Sequence, residues 1–351
     1  MSNDKMTAKQ FSDKLLTGLS IGIVVALIPN ALLGELLKAI IPHFAPAQTI
    51  FDVTVLAMRL TPMVIGVCIA MQFKLTPIQT ASIGMATVIG SGVAKVAEKG
   101  TFVFAGTGDV INAAITAAIA VGLVLLLGNK LKAYTILLVP AIVVIVAGTM
   151  GIVTLPYVKG ITLAVGDVIN KFTTLQPIVM GILISVSFAF LIVSPFSTVA
   201  VATAIALAGV GSGAANLGVV AAGFGLAIGG WKVNSFGTSI AHFLGSPKMQ
   251  MANLIKKPIM MVPVLCNAAV LGALAGMFNI QGTPMSAGFG ISGLIGPINA
   301  LNLMGGYTTS NIIIVTLIFV VVPIALGILF NYVFTKVVKI VSEEDYKLTF
   351  E

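Results

Sequence analysis

The sequence predicts an all-α membrane protein of about ten transmembrane helices with two re-entrant hairpin segments. Three observations predict it. Only 9% of the 351 residues are charged while 58% are hydrophobic, and the mean hydropathy is +1.10; a soluble chain carries roughly a quarter charged residues. Apolar runs long enough to cross a bilayer recur along the whole chain, a span needing about 20 such residues. Between them lie two stretches broken by glycine and proline. Broken backbone at membrane depth is tolerated only inside protein or beside a watery cavity.

Taken in order, residues 1–14 are polar and basic, with Lys5, Lys9 and Lys14, and are expected in the cytoplasm. Apolar runs follow near 15–33, 50–71, 76–94, 109–128, 133–155, 174–194, 196–211, 214–231, 258–279 and 311–336. The region 15–340 reads as a single transmembrane domain, and 341–351 as a cytoplasmic tail. The first run continues past signal-peptide length and lacks an A-x-A-like cleavage site, so it reads as a span and not a removable leader. Pro29, Pro62, Pro140 and Pro323 fall inside runs, which bundles tolerate where neighbours satisfy the freed carbonyls. The run 196–211, ending GVGSG, is the least regular.

Lysines orient the spans. With the N-terminus inside, Lys74, Lys130, Lys132, Lys232, Lys256, Lys257, Lys336, Lys339 and Lys347 fall inside. Lys95, Lys99, Lys159 and Lys171 fall outside, accompanied by Glu98 and Asp167. The excess puts both termini in the cytoplasm. The formal charge of +8 therefore marks topology; no basic patch suggests a nucleic-acid partner. The 37 glycines fit helices packed through small residues. Cys68 and Cys266 stand far apart inside apolar runs without metal-ligand spacing, so no metal and no cofactor is expected.

The first broken stretch is Val233–Pro258, VNSFGTSIAHFLGSPKMQMANLIKKP. It carries Asn234, Thr238, Ser239, His242, Gln250 and Asn253 among apolar neighbours, with Gly237, Gly245 and Pro247 interrupting it. Hydroxyls, amides and an imidazole suit a ligand rich in hydroxyl groups. Two readings stand: a re-entrant segment over 233–257 lining a substrate site, or a surface loop between helices. His242 is accordingly a ligand contact or a hydrogen-bonded structural residue. Trp231, the only tryptophan, suits stacking on a sugar ring or anchoring at the interface. The second stretch, 282–306, is apolar but broken by Gly288, Gly290, Gly293, Gly296 and Pro297. It enters from the opposite face, and two such pieces build a site near the midplane.

Ionisable residues inside a membrane are costly and point to function. Asp52, Arg59, Asp109, Asp167 and His242 make that set, with Glu35 and Glu98 nearer the edges. Arg59 is expected in the middle of the second run, about 10 Å along the axis from Asp52, so its partner comes from another helix or from the ligand. An ion pair with Asp109 is the structural alternative. GDVIN occurs twice, at 108–112 and 166–170, which suggests two related helix starts, since Asp favours a first helical turn. Asp109 and Asn112 of the first copy join Arg59 as candidate substrate contacts. GVGSGA (209–214) and GSGVAK (90–95) lack the G-K-[ST] ending of a phosphate loop and read as helix packing.

GTGDVIN (106–112), LQPIVMGILISVSFAFLIVSPFSTVAVA (175–202), GAANLG (213–218), GTS (237–239), PKMQMANLIKKP (247–258) and GFGISGLIG (288–296) together resemble the enzyme IIC membrane component of the bacterial phosphoenolpyruvate-dependent phosphotransferase system. Within it they look like the toxin-regulator branch of the perfringolysin-regulator type. The resemblance implies an enzyme IIC-like helical fold with re-entrant hairpins, a homodimer in the bacterial plasma membrane, and uptake of a sugar or polyol-like solute. It also implies separate IIA and IIB phosphocarrier partners, since no phosphocysteine loop surrounds Cys68 or Cys266. Better-studied sugar-specific relatives use a glutamate and a histidine on their hairpins; His242 fits the second, while 282–306 holds no acidic residue. The alternatives are a proton- or sodium-coupled transporter, suggested by Asp52, Asp109 and Asp167, and a membrane sensor that regulates toxin expression.

Overall fold

The computed structural model describes residues 6–97, 100–127, 130–131 and 134–349; Lys5, Glu98, Lys99 and Lys132 lie outside them. The chain divides into two compact units, one of Met1–Pro29 with Asp52–Gly160, the other of Asn30–Phe51 with Ile161–Thr349. Among the described residues six helices are long and apolar enough to cross a membrane, or seven when one bent pair counts as a span.

In the first unit, α1 (Ala8–Ile40) contributes its residues up to Pro29. Gly18 and Gly22 let it lie against α3 (Thr61–Gln72), because a Cβ at either would press on the backbone of Ile69 or Ile65. The run 50–71 is not one straight helix. α2 (Ala47–Arg59) and α3 meet at a 52° bend, where Pro62 can only occupy a first helical turn. α4 (Pro77–Gly90) starts at a capping box formed by Thr76 and Gln79. It then gives way to a turn and the antiparallel hairpin β1 (Ala94–Val96) and β2 (Phe102–Phe104), so the run 76–94 leaves the helix at Gly90. α5 (Val110–Leu127) and α6 (Thr135–Phe172) follow, the latter contributing its residues up to Gly160. The 38 residues of α6 make it about 57 Å long, well beyond the expected 133–155. The helix continues through Pro156.

The second unit is built on α9 (Gly209–Gly229), 94% of whose apolar window is buried. It packs most extensively with α7 (Pro177–Val193) and α12 (Val262–Met277). Glycines allow the approach: a Cβ at Gly181 would collide with the carbonyl of Gly272, and one at Gly218 with that of Ser185. GVGSGA thus belongs to a packed helix. The run 196–211 is a correction. It forms α8 (Thr198–Ala204), a turn with Ala206 at φ 50°, and the first three residues of α9; the seven residues of α8 reach about 10 Å, far short of a crossing.

α10 (Phe236–Leu244), α11 (Met251–Lys256), α13 (Ile295–Leu303), α14 (Thr309–Thr316) and α15 (Val322–Tyr332) complete the unit. π-helical turns at Leu317–Val321 and Val333–Val337 extend the last two into one apolar span, Thr309–Val337. A 3₁₀ turn, Glu343–Tyr346, packs back on the unit with Tyr346 1% exposed. The GDVIN copies also differ: Asp109 precedes α5, whereas Asp167 lies exposed within the last turns of α6. They are not two helix starts.

Candidate functional site

The stretch 233–258 folds as short pieces because its breakers fall where no helix continues. Ser235 caps α10 by accepting from the Thr238 N–H at 3.2 Å, and the two hydroxyls lie 2.9 Å apart. Gly245 ends α10, and Pro247 opens the 3₁₀ turn Pro247–Gln250 before α11. His242 is fully buried, with Nδ1 3.0 Å from the Ser239 carbonyl and Nε2 3.0 Å from Gln250 Nε2. An amide nitrogen only donates, so Nε2 accepts, Nδ1 carries the proton, and the ring is neutral.

Gln250 Nε2 also donates to the Tyr346 carbonyl at 2.8 Å, and its Oε1 accepts from Asn253 Nδ2 at 2.8 Å. Asn253 reaches the Lys347 carbonyl at 2.8 Å. Asn234 donates to the Tyr346 carbonyl at 2.9 Å and accepts from the Leu348 N–H at 2.8 Å. Four of the expected contacts, Asn234, His242, Gln250 and Asn253, thus form one network that closes on the backbone of 346–348. Ser239 Oγ is buried and has no hydrogen-bond partner among the described residues.

The second stretch meets the first. Ser292 Oγ donates to the carbonyls of Leu244 and Gly245 at 2.9 and 3.2 Å, joining the turn before α13 to the end of α10. Its irregular backbone is held from α8 and α9. Thr198 Oγ1 donates to the Gly288 carbonyl at 3.2 Å, Ser212 Oγ to the Thr283 carbonyl at 2.8 Å, and Asn216 Oδ1 accepts from the Gly290 N–H at 3.0 Å. Gly288 and Gly290 take φ of 92° and 62°, conformations that favour glycine. Asn216 is 0% exposed and its Nδ2 has no partner among the described residues. Buried Lys248 donates to the carbonyls of Ser194 and Phe196, each at 2.6 Å, capping the end of α7. Sequence reasoning passed over Thr198, Ser212, Asn216, Lys248 and Ser292. A polar side chain inside SPFST, GAANLG or GISG was the available signal.

The other three expected contacts belong to the first unit. Asp109 Oδ1 accepts from the Asn112 N–H at 2.8 Å and caps α5. Asn112 is 0% exposed. Its Nδ2 donates to the carbonyls of Gly90 and Gly151, and its Oδ1 accepts from Thr154 Oγ1 at 2.8 Å. The whole amide is engaged in tying α4, α5 and α6. Arg59 is exposed at the last turn of α2, at the bend between α2 and α3, where a cation complements the helix C-terminus.

Charge gathers at one end of the second unit. Lys257 Nζ lies 2.6 Å from Asp345 Oδ2; Lys232 and Lys336 lie 2.7 and 3.9 Å from Glu343 Oε1. Burial pushes the Asp345 carboxyl up, but hydrogen bonds from Lys257 and Ser342 outweigh it and leave its pKa below the usual range. The hydrogen bond from Lys232 likewise depresses Glu343. Burial, with the Asp345 charge beside it, raises the Tyr346 phenol.

The sequence model of the family described as phosphotransferase system, EIIC matches residues 13–348. The chain belongs to this family. No curated protein and no solved structure gives a significant match. The enzyme IIC assignment covers both units and both broken stretches. It makes the protein a multi-pass membrane permease component of a phosphotransferase system, with a transported substrate and IIA and IIB proteins as the partners the family implies.

Proposed function

We propose that this enzyme IIC carries a sugar or polyol through its second unit, at the junction of the two broken stretches, and that separate IIA and IIB proteins phosphorylate the solute. The Ser292 bridge to Leu244 and Gly245 is the observation that carries this reading, because paired re-entrant pieces meeting near the midplane are how carriers build a site. Thr238, Ser239, His242, Asn234, Gln250 and Asn253 are the proposed contacts on one side of the junction. The Ser239 hydroxyl and the Asn216 amide, buried and each with an unused hydrogen-bonding atom, are ready for ligand hydroxyls. The membrane is the bacterial plasma membrane, and the protein works as a homodimer with both termini cytoplasmic. Lys232, Lys257 and Lys336 come from three separate connections yet converge on Glu343 and Asp345, which supports one common, cytoplasmic side for them.

A thermal-shift screen of the purified protein against sugars, polyols and their phosphates tests the reading, since a ligand that binds the folded state raises apparent stability. Ser239→Ala and His242→Ala should weaken the hit by about 1–3 kcal/mol, roughly five- to 150-fold in affinity. Unchanged affinity in both variants would remove this stretch from the site.

A further inference from the structure

Beside Trp231 the second unit holds a cavity of about 530 Å³, within the range of small-molecule sites. Its walls are Phe224 and Ile228 of α9, Ile240 and Phe243 of α10, and Ile324 and Ile328 of α15. Phe224 and Phe243 stack with centroids 4.7 Å apart. A sugar placed here would leave most of its hydroxyls without partners, a costly burial.

The mouth has a different chemistry. Lys232 and Glu343 line it, and Lys336 approaches the same carboxylate. Two ammonium groups thus share one carboxylate, leaving net positive charge. The lysine side chains are 67% and 59% exposed, free to reach a second anion while their stems lie along apolar surface. Asn331 also lines the cavity, and its Oδ1 has no hydrogen-bond partner among the described residues. The π-helical turn Val333–Val337 begins just beyond it, a local geometry that is rare and often marks functional positions. The asparagine amide turns easily about χ2, so a headgroup hydroxyl can supply the missing donor. Half-exposed Trp231 sits at the rim, as such residues do at headgroup level.

We propose that this cavity binds one acyl chain of an anionic, hydroxyl-bearing phospholipid such as phosphatidylglycerol, whose phosphate lies at Lys232 and Lys336 and whose glycerol hydroxyl meets Asn331. The apolar walls select the chain and the lysine pair selects the headgroup.

Trp231 is the only tryptophan of the chain, so its fluorescence reports on the cavity without labelling. The full-length protein is placed in phosphatidylcholine nanodiscs, a graded fraction of which is replaced by phosphatidylglycerol or phosphatidylcholine carrying the same dibrominated chain. Brominated phosphatidylglycerol should half-quench Trp231 at about five-fold lower mole fraction, as one lysine's worth of headgroup attraction implies. Glu343→Gln, which removes the competing carboxylate, should widen that preference; Lys336→Gln should shrink it. Ala227→Leu, which fills the cavity wall, should abolish the preference while bulk lipid still quenches. Equal quenching by the two lipids in the wild type overturns the proposal. So do the two charge variants moving together, or a preference that survives Ala227→Leu. Absence of quenching by either lipid means another protein segment fills the cavity, and overturns it as well.

Discussion

Replacing Tyr346 tests whether residues 342–348 form a strap that the second unit requires. The side chain is 1% exposed, its ring lies against Gly229, where a Cβ would come within 2.8 Å of it, and its hydroxyl donates to the Met260 carbonyl at 2.9 Å. Removing a buried aromatic leaves a cavity as well as losing transfer energy, about 3–5 kcal/mol for replacement by alanine. Loss of the hydroxyl alone costs about 0.5–1.5 kcal/mol. At roughly 2–4 °C per kcal/mol for a unit of 150–250 residues, Tyr346→Ala should lower the midpoint by about 6–20 °C and Tyr346→Phe by about 1–6 °C. Both are read from Trp231 fluorescence during thermal unfolding in detergent. Trypsin at exposed Lys347 gives a second reading, because the strap must leave Asn253 before the backbone enters a protease. Tyr346→Ala within about 1 °C of the wild type, with unchanged cleavage, would show that the strap is decoration and that the polar network of 234–253 stands without it.

The same strap should respond to acid. Asp345 has a depressed pKa, so its contribution is complete above the unfolded value of about 3.9 and disappears as pH falls through the lower folded value; hydrogen exchange at Leu348 should accelerate there, and Asp345→Asn should flatten that limb. Asn112→Ala removes the bonds to the Gly90 and Gly151 carbonyls and from the Thr154 hydroxyl, which keeps only its 3.1 Å bond to Gly151, and should cost about 1–3 kcal/mol. Asp109→Asn, by contrast, keeps a good cap and should cost little; a melt that ranks these two in the reverse order removes the interhelical role of Asn112. Gly181→Ala forces a methyl into the Gly272 carbonyl and should destabilise by about 1–3 kcal/mol or more. Gly122→Ala has nothing within 4 Å and should gain about 0.5–1 kcal/mol from helix propensity; equal midpoints for the two alanine variants would discount close glycine packing.

Apolar length is legible because it is a local, additive property, and α5, α9 and α12 begin and end near the runs that announce them. Interruptions were harder. Pro62 was visible, but whether it bends a span or opens a new helix depends on Arg59 and Leu60 around it. Pro156 looks like a terminator, yet α6 runs through it. The broken nature of 233–258 and 282–306 was readable from glycine and proline, whereas their joining by Ser292 was not, since one serine in an apolar stretch carries no address. Tyr346 was the most hidden. Inside SEEDYK it reads as part of a solvated tail, and only its aromatic ring and the S-x-x-D spacing of Ser342 and Asp345 point to a capped, buried turn. The identical GDVIN copies misled because a pentapeptide does not determine its place in a helix; the positive φ of Gly108 sets the first copy at a helix start.

The partners of the strap lie far upstream: Gln250 is 96 residues before Tyr346, and Asn234 is 114 before Leu348. At roughly 5–20 residues per second of synthesis, these amides wait on the order of 5–20 s between leaving the ribosome and meeting their acceptors. Hydrocarbon cannot shelter them during that interval, because an unpaired amide there costs several kcal/mol. Residues 234–253 therefore stay at the watery face of the insertion machinery while α12, α14 and α15 are threaded. Their final burial is a late step, timed by the arrival of 342–348. A cell that slows translation between codons 258 and 342 should lengthen the exposure of this segment to proteases without altering the finished protein.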